Sequence, residues 1–168
     1  YAINDSSQVV GCSVATETGV EHPFLWENGK MKDLFDSPDY LSGCAKDINN
    51  SGQILGHFSK KDEKTGEIKY ENFLWEKGEF TSLIGAPAGF SPQKINNNGD
   101  ILGSFNYSVI ILKNGNYFTY TEIDGWIINS YESFSFNDHW QVAVKGGKLD
   151  NSGAYGLRIS LVDNMPPV

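Results

Sequence analysis

Apolar and polar residues alternate along this chain on both sides of short clusters rich in Asn, Ser and Gly. Residues 94–105 show the pattern, because the turn Asn97-Asn98-Gly99 separates two alternating runs. Alternation with a period of two indicates strands, and Asn and Gly tolerate the left-handed backbone of a tight turn. No window places apolar residues at helical spacing, so we predict an all-β fold with almost no helix.

The pattern also recurs with a long period. A nine-residue segment that begins with Ile-Asn and ends with two aliphatic residues and Gly occurs three times, and a degenerate fourth copy follows; the copies are 3–11, 48–56, 95–103 and 136–144. Their lead Asn residues are 45, 47 and 41 positions apart. Such self-similarity is typical of repeat proteins, whose units are too small to bury their own apolar faces.

A second apolar segment with a Gly turn lies about 20 residues later in the first two copies and, in divergent form, in the third. The segments are 24–30, 73–79 and 110–116, and the strands predicted to follow them are 31–35, 80–84 and 117–123. Each repeat therefore contains two predicted hairpins, hence four short strands, in about 45 residues. In the fourth copy, Ala154–Val162 supplies a third strand.

Four antiparallel strands per repeat are the composition of one propeller blade. We predict a β-propeller-like array of about four four-stranded antiparallel blades; a sandwich and other repeat-built β folds are the alternatives. The chain is expected to form a single repeat-built domain, 1–168, with repeats at approximately 1–43, 44–90, 91–132 and 133–168. A closed four-bladed ring and an incomplete or open ring both fit this pattern.

The residues of the first repeat resemble a known family. Ile3-Asn4, then 9–13, then His22-Pro23-Phe24-Leu25-Trp26 with Gly29, are similar to the bacterial HAF-type probable extracellular repeat. The resemblance covers most of residues 1–115; the third copy lacks the Trp, and the fourth lacks the second motif. It implies an exported, β-propeller-like module, and it implies no catalytic residues.

Composition narrows the possible partners. The net charge is −8, and no basic stripe is present to neutralise phosphates, so a nucleic-acid partner is not expected. No run of 18 apolar residues occurs, so no membrane span is predicted. The chain starts at Tyr1 without a leader, so we expect that a signal was removed or that this is a piece of a longer protein.

The chain has two cysteines, Cys12 and Cys44, which belong to neighbouring repeats. Neither lies in a Cys-x-x-Cys pair, so a zinc site is not supported. In a radial stack their strands could be neighbours, and a disulfide would then stabilise the fold by about 3–4 kcal/mol. A disulfide and two separate buried thiols are both compatible with the sequence.

No motif predicts catalysis, a metal or a cofactor. Residues 47–54 mimic half of an EF-hand loop, but Phe58 replaces its final acid, so a turn is expected instead. The three histidines, His22, His57 and His139, occupy non-equivalent repeat positions and do not suggest a metal cluster. A nucleophile elbow and a phosphate-binding Gly loop are also absent. The charged run 60–64 is expected to be a solvated loop tip, and Glu27, Glu76 and Lys113 to face solvent.

The tryptophans have different expected roles. Trp26 and Trp75 fall at matching repeat positions, which favours packing between blades over stacking on a sugar. Aromatic residues that break the repeat are free of that shared role, so we predict a candidate partner surface at Trp126, Tyr131, Phe134 and Trp140, with core filling as the alternative.

Three functions are therefore compared. The first is a non-enzymatic protein-binding or scaffolding module, exported to the periplasm, cell surface or medium and built into a larger cell-envelope assembly. The second is a lectin-like carbohydrate-binding propeller that uses Trp faces and loop Asn and Asp side chains. The third is a glycosidase-type hydrolase, which needs two carboxylates about 5–10 Å apart, and no local pattern imposes that pair. The first is preferred.

Overall fold

The computed structural model describes residues 2–16, 19–35, 37–83, 85–106, 108–123, 126–128, 135–148 and 154–160. Every regular element in these residues is a strand, which confirms the all-β prediction. The strands are β1 (Ala2–Ile3), β2 (Val9–Val14), β3 (Glu21–Glu27), β4 (Lys30–Asp33), β5 (Tyr40–Ile48), β6 (Ile54–Lys61), β7 (Ile68–Glu76), β8 (Glu79–Ser82), β9 (Ser91–Ile95), β10 (Ile101–Phe105), β11 (Ser108–Lys113), β12 (Asn116–Tyr120), β13 (Glu122–Ile123), β14 (Trp126–Ile128), β15 (Ser135–Phe136), β16 (Gln141–Lys148) and β17 (Ala154–Ser160).

The strands form four antiparallel sheets, and all their described pairings join antiparallel neighbours. The first sheet has the order β1-β2-β3-β4, the second β5-β6-β7-β8, and the third β9-β10-β11-β12. The fourth has the order β13-β14-β16-β15, with β17 on the other side of β16. The chain divides into two compact units, 1–85 and 86–168, so each unit contains two sheets.

The sheets depart from the predicted repeat boundaries. β5 begins at Tyr40, inside the first predicted repeat, and register shifts after Tyr40 and Ala45 accompany its extended pairing with β6. The predicted strand 117–123 ends at Tyr120, and the following β13 pairs with β14 in the fourth sheet. Alternation along the chain marks strands, but it does not show which neighbour each strand pairs with.

The Gly turns of the second hairpins have the predicted geometry. Both turn residues have positive φ, at Asn28 and Gly29 (49° and 76°), Lys77 and Gly78 (51° and 100°), and Asn114 and Gly115 (48° and 76°). Two-residue turns with both φ angles positive match the right-handed twist of antiparallel strands.

The lead Asn of each repeat organises its loop. Asn49 Oδ1 accepts hydrogen bonds from the backbone N–H groups of Ser51 (3.1 Å) and Gln53 (3.0 Å), and its Nδ2 donates to Gln53 Oε1 (2.7 Å). The same three bonds recur around Asn4, Asn96 and Asn137, with Asp100 in place of Gln in the third repeat. The third residue after each Asn has positive φ: Ser7 (60°), Gly52 (79°), Gly99 (83°) and Trp140 (56°).

These loops also connect neighbouring repeats inside each unit. Asn4 Nδ2 donates to the carbonyl of Asn49 at 3.0 Å, and Asn50 Nδ2 donates to Asp5 Oδ2 at 2.6 Å. In the second unit, Asn96 Nδ2 donates to the Asn137 carbonyl at 3.4 Å. The repeated Ile-Asn motif therefore both shapes a loop and joins it to the next one.

We expect Asn49→Ala to destabilise the protein by about 2 kcal/mol, because a buried acceptor of two backbone N–H groups is lost. Urea unfolding followed by Trp fluorescence measures the change. The matched control is Asn116→Ala on an exposed side chain, with an expected change below about 0.5 kcal/mol. Equal effects of the two substitutions would contradict the role assigned to Asn49.

Each unit has its own core. In the first unit, Val10, Leu25 and Leu34 pack with side chains of the second sheet, which are Ala45, Ile48, Ile54, Phe58, Phe73 and Trp75. In the second unit, Leu102, Val109 and Ile111 pack with Val142 and Val144 of the fourth sheet. Because residues at corresponding repeat positions meet in both cores, the two pairs of sheets pack in the same way.

A disulfide joins Cys12 on β2 to Cys44 on β5, with their Cα atoms 4.7 Å apart. It links the first sheet to the second, beside the core of the first unit. The chain between the two cysteines leaves β2, runs through β3 and β4, and enters β5, so the bond closes a long loop.

Candidate interaction surface

A row of apolar side chains crosses the first sheet. The registers place Ile3 opposite Val9, Val9 opposite Trp26, and Trp26 opposite Met31. Directly opposite residues project from the same face of a sheet, so these four form one continuous strip. We call Ile3, Val9, Trp26 and Met31 the first-sheet row.

The second sheet has the same row at the corresponding repeat positions. It consists of Ile48, Ile54, Trp75 and Phe80, which are paired across the strands in the same order. The two rows differ in exposure. Trp26 is 38% exposed and Trp75 is 7%, whereas Ile3 is 67% exposed and Ile48 is 5%. Met31 is 60% exposed, while Phe80 packs against the core.

The difference follows from what covers each row. The opposite face of the first sheet, with Val10 and Leu25, packs against the row of the second sheet. Lys32 of that face places its Nζ 5.2 Å from the centre of the Trp75 ring. Packing between neighbouring sheets is therefore found for Trp75 and not for Trp26, because Trp26 lies on the face of the first sheet that points away from the second.

A groove of about 230 Å³ lies beside the first-sheet row. Its polar wall includes Ser13, His22 and Asp33, and His22 Nδ1 lies 2.7 Å from Asp33 Oδ2. His22 on β3 is therefore paired with an acid on β4. At the corresponding positions of the second sheet, the Ser82 hydroxyl donates to Glu71, so the link between the third and fourth strands is a repeated structural feature.

The predicted aromatic partner surface is described only in part. Tyr131 and Phe134 lie outside the described residues, and Trp126 begins β14, where its backbone pairs with Lys148. Trp140 is half-buried, and its Nε1 donates to Asp100 Oδ2 at 2.8 Å. Lys113 Nζ lies 3.1 Å from the centre of the Trp140 ring.

Trp140 therefore connects the fourth repeat to the third. These contacts hold a bulky residue at positive φ, which is otherwise unfavourable. The sequence contained an indication of this positive φ, because Trp140 occupies the repeat position that is glycine at Gly52 and Gly99.

The residues before the Gly turns are also engaged. Glu27 accepts a hydrogen bond from Gln8 Nε2 at 2.8 Å, and Glu76 accepts one from Gln53 Nε2 at 3.3 Å. All three predicted solvent-facing residues, Glu27, Glu76 and Lys113, are half-buried. These side chains are thus partly exposed, as expected, but each also contacts its own or the neighbouring Asn loop, which the sequence did not predict.

A charged cleft of about 460 Å³ lies at one end of the second sheet. The predicted loop tip 60–64 lines this cleft. Lys60 and Lys61 are the last residues of β6, so the turn begins only after them. Hydrogen bonds from Lys69 and from the Thr65 and Lys64 amides hold the pKa of Asp62 well below its ordinary value. Because lysines and acids alternate around this cleft, it presents no single sign of charge to a ligand.

The described residues contain no group of three or more His, Cys, Asp or Glu side chains that could hold a metal ion. In the loop that mimics half of an EF-hand, Asn49 Oδ1 is occupied by two backbone N–H groups. The loop therefore has the turn structure that the sequence predicted there.

Comparison with known proteins gives no relative: the chain matches no family model, no curated protein and no solved structure. Among the described residues, no helix has the length and apolar character needed to cross a bilayer.

Proposed function

We propose that this protein is a non-enzymatic protein-binding or scaffolding module, and that its contact surface is the first-sheet row. One observation carries the proposal: the repeat buries this row in the second sheet and leaves it exposed in the first. Contiguous exposed apolar surface on folded proteins marks sites of contact with other proteins. The exposed Trp26 and Met31 are also residue types that are enriched at such contacts.

The β-propeller architecture is part of the proposal. It is supported by four antiparallel sheets built from repeats of blade length, and by face-to-face packing of the two sheets within each unit. Asn loops that bond to the loop of the neighbouring repeat would align successive blades at one end.

We further propose that the module is exported, as part of a larger cell-envelope assembly. The disulfide between Cys12 and Cys44 supports this location, because such bonds persist mainly in oxidising compartments. The resemblance of the first repeat to HAF-type extracellular repeats points in the same direction.

Affinity capture from the exported proteins of the source organism tests the proposed function. We expect the wild-type protein and the control Tyr70→Lys to retain the same partner, and Met31→Lys to lose it. Both changes replace an exposed apolar side chain by a charge, at 60% and 82% exposure, but only Met31 belongs to the row. Loss of the partner with the control, or retention with Met31→Lys, would contradict the proposal.

The lectin-like alternative has one supporting observation, the exposed Trp26 beside the polar groove that includes His22 and Asp33. A glycan array probed with the wild type and with Trp26→Ala distinguishes the lectin-like function from the protein-binding one. Glycan binding that requires Trp26, without capture of any protein, would replace our proposal with this one.

A further inference from the structure

We propose that the partner of the first-sheet row contributes an extended peptide strand that adds to the free edge of β4, with an apolar side chain beside Met31 and a basic one beside Asp33. This inference rests on the proposed function and specifies the partner at the same surface. The form of the partner follows from the backbone of β4, and its side chains follow from the charges along that strand.

The strand β4 is one edge of the first sheet, because it pairs only with β3 among the described strands. The backbone N–H of Leu34, just after β4, donates to the Pro23 carbonyl at 3.0 Å. Residues of an antiparallel strand alternate between bonding to one neighbour and pointing away from it. The N–H and C=O groups of Met31 and Asp33 therefore point away from β3, toward the open edge.

This open edge is short. At one end, the Phe35 N–H donates to Asp33 Oδ1 at 2.9 Å and is not free to bind another chain. At the other end, β4 begins at Lys30, directly after the Gly turn. Edge N–H and C=O groups are a template for a further strand, and peptide recognition by strand addition uses them in this way. The partner backbone is therefore an extended segment centred on Met31 and Asp33.

The first-sheet row reaches this edge. Met31 is 60% exposed and lies directly opposite Trp26, which is 38% exposed. In an antiparallel pairing, the partner residue opposite Met31 would project from the same face and extend the row by one side chain. An apolar residue is therefore favoured there. The corresponding edge strand of the second sheet, β8, offers no such row, because Phe80 packs against the core.

The charges along β4 select the other partner residues. Asp33 lies on the same face as Met31, and its side chain is 48% exposed, so a basic residue is favoured opposite it. Lys30 is exposed on the other face and favours an acidic residue. Lys32 is already placed over the Trp75 ring. An antiparallel partner would thus carry, in order, a basic residue, any residue, an apolar residue and an acidic residue.

A second copy of β4 does not fit this pattern. If two such strands paired with Met31 opposite Met31, Lys30 of each would lie opposite Lys32 of the other. Like charges directly opposite each other are destabilising, and lysines on edge strands discourage pairing between copies. The edge therefore favours a different chain.

The probe is a short, blocked synthetic peptide with the central sequence Lys-Thr-Leu-Glu between threonines, which are good strand formers. Amide hydrogen exchange by NMR measures its effect. In the free protein, we expect the Met31 and Asp33 amides to exchange rapidly and the Leu34 amide to be protected. The peptide is expected to slow exchange at Met31 and Asp33 about tenfold or more at saturation.

Backbone methylation of the peptide provides a matched pair of controls. N-methylation at its Leu removes an N–H that faces β4, and is expected to weaken binding about tenfold or more. N-methylation at its Glu removes an N–H that points away from β4, and is expected to leave binding nearly unchanged. Met31→Lys in the protein should weaken binding, whereas Tyr70→Lys on β7 should not.

Two results would overturn the inference. They are unprotected Met31 and Asp33 amides at up to about 1 mM peptide, and equal effects of the two N-methylations. If the protein captures a partner through Met31 but that partner leaves both amides unprotected, strand addition is wrong and the proposed function stands. Capture that does not depend on Met31, together with an unprotected edge, would remove both.

Discussion

Gly56→Ala is expected to destabilise the protein by about 3 kcal/mol or more. An added Cβ at this buried position of β6 would lie 2.4 Å from the Cys44 carbonyl oxygen and 2.4 Å from the Phe73 ring. Both neighbours are constrained, since Cys44 is in a disulfide and Phe73 is fully buried in the core. Overpacking of this kind usually costs about 1–3 kcal/mol, and clashes with backbone belong to the upper end.

The measurement is equilibrium unfolding in urea, compared with Gly19→Ala. Gly19 has a φ of 72° but no atom within 4 Å of an added Cβ, so its substitution reports backbone strain without crowding. We expect about 1 kcal/mol for that control. If Gly56→Ala cost no more than the control, crowding would not be the reason for glycine at this repeat position.

Loss of the disulfide is expected to cost about 3–4 kcal/mol, since Cys12 and Cys44 are 32 positions apart and the bond restricts a long loop of the unfolded chain. The double variant Cys12→Ala and Cys44→Ala tests this in urea, beside the wild type with and without reductant. Thiol titration of the unfolded, unreduced wild type should find no free thiol.

Two results would contradict this expectation. One is two titratable thiols in the unreduced protein, and the other is equal stability of the oxidised and reduced forms. The effects of Gly56→Ala and of disulfide loss should not add, because both act through Cys44 on β5. A double-variant cycle would measure that coupling.

The sequence predicted the features that depend on local chemistry. The Asn and Gly positions required left-handed turns, and the alternation required strands, so the hairpins and the all-β class were confirmed. The prediction of one strand over 117–123 was wrong beyond Tyr120, because β13 and β14 join the fourth sheet through contacts that alternation does not encode.

The candidate surface could not have been located from the repeat alone. Trp26 and Trp75 occupy the same repeat position and have the same residue type, so the pattern assigned them one role. Their environments differ because the first sheet covers Trp75, whereas Trp26 points away from the second sheet. Whether a neighbouring sheet covers the row, and not the residue type within it, decides which row is open to a partner.

The most direct measurement is hydroxyl-radical footprinting of the protein alone, with oxidation of Trp26, Met31 and Trp75 quantified by mass spectrometry. We predict that Trp26 and Met31 are reactive and that Trp75 is protected, because the row is exposed in the first sheet and buried in the second. A Trp75 as reactive as Trp26, or a Met31 as protected as Trp75, would contradict the account.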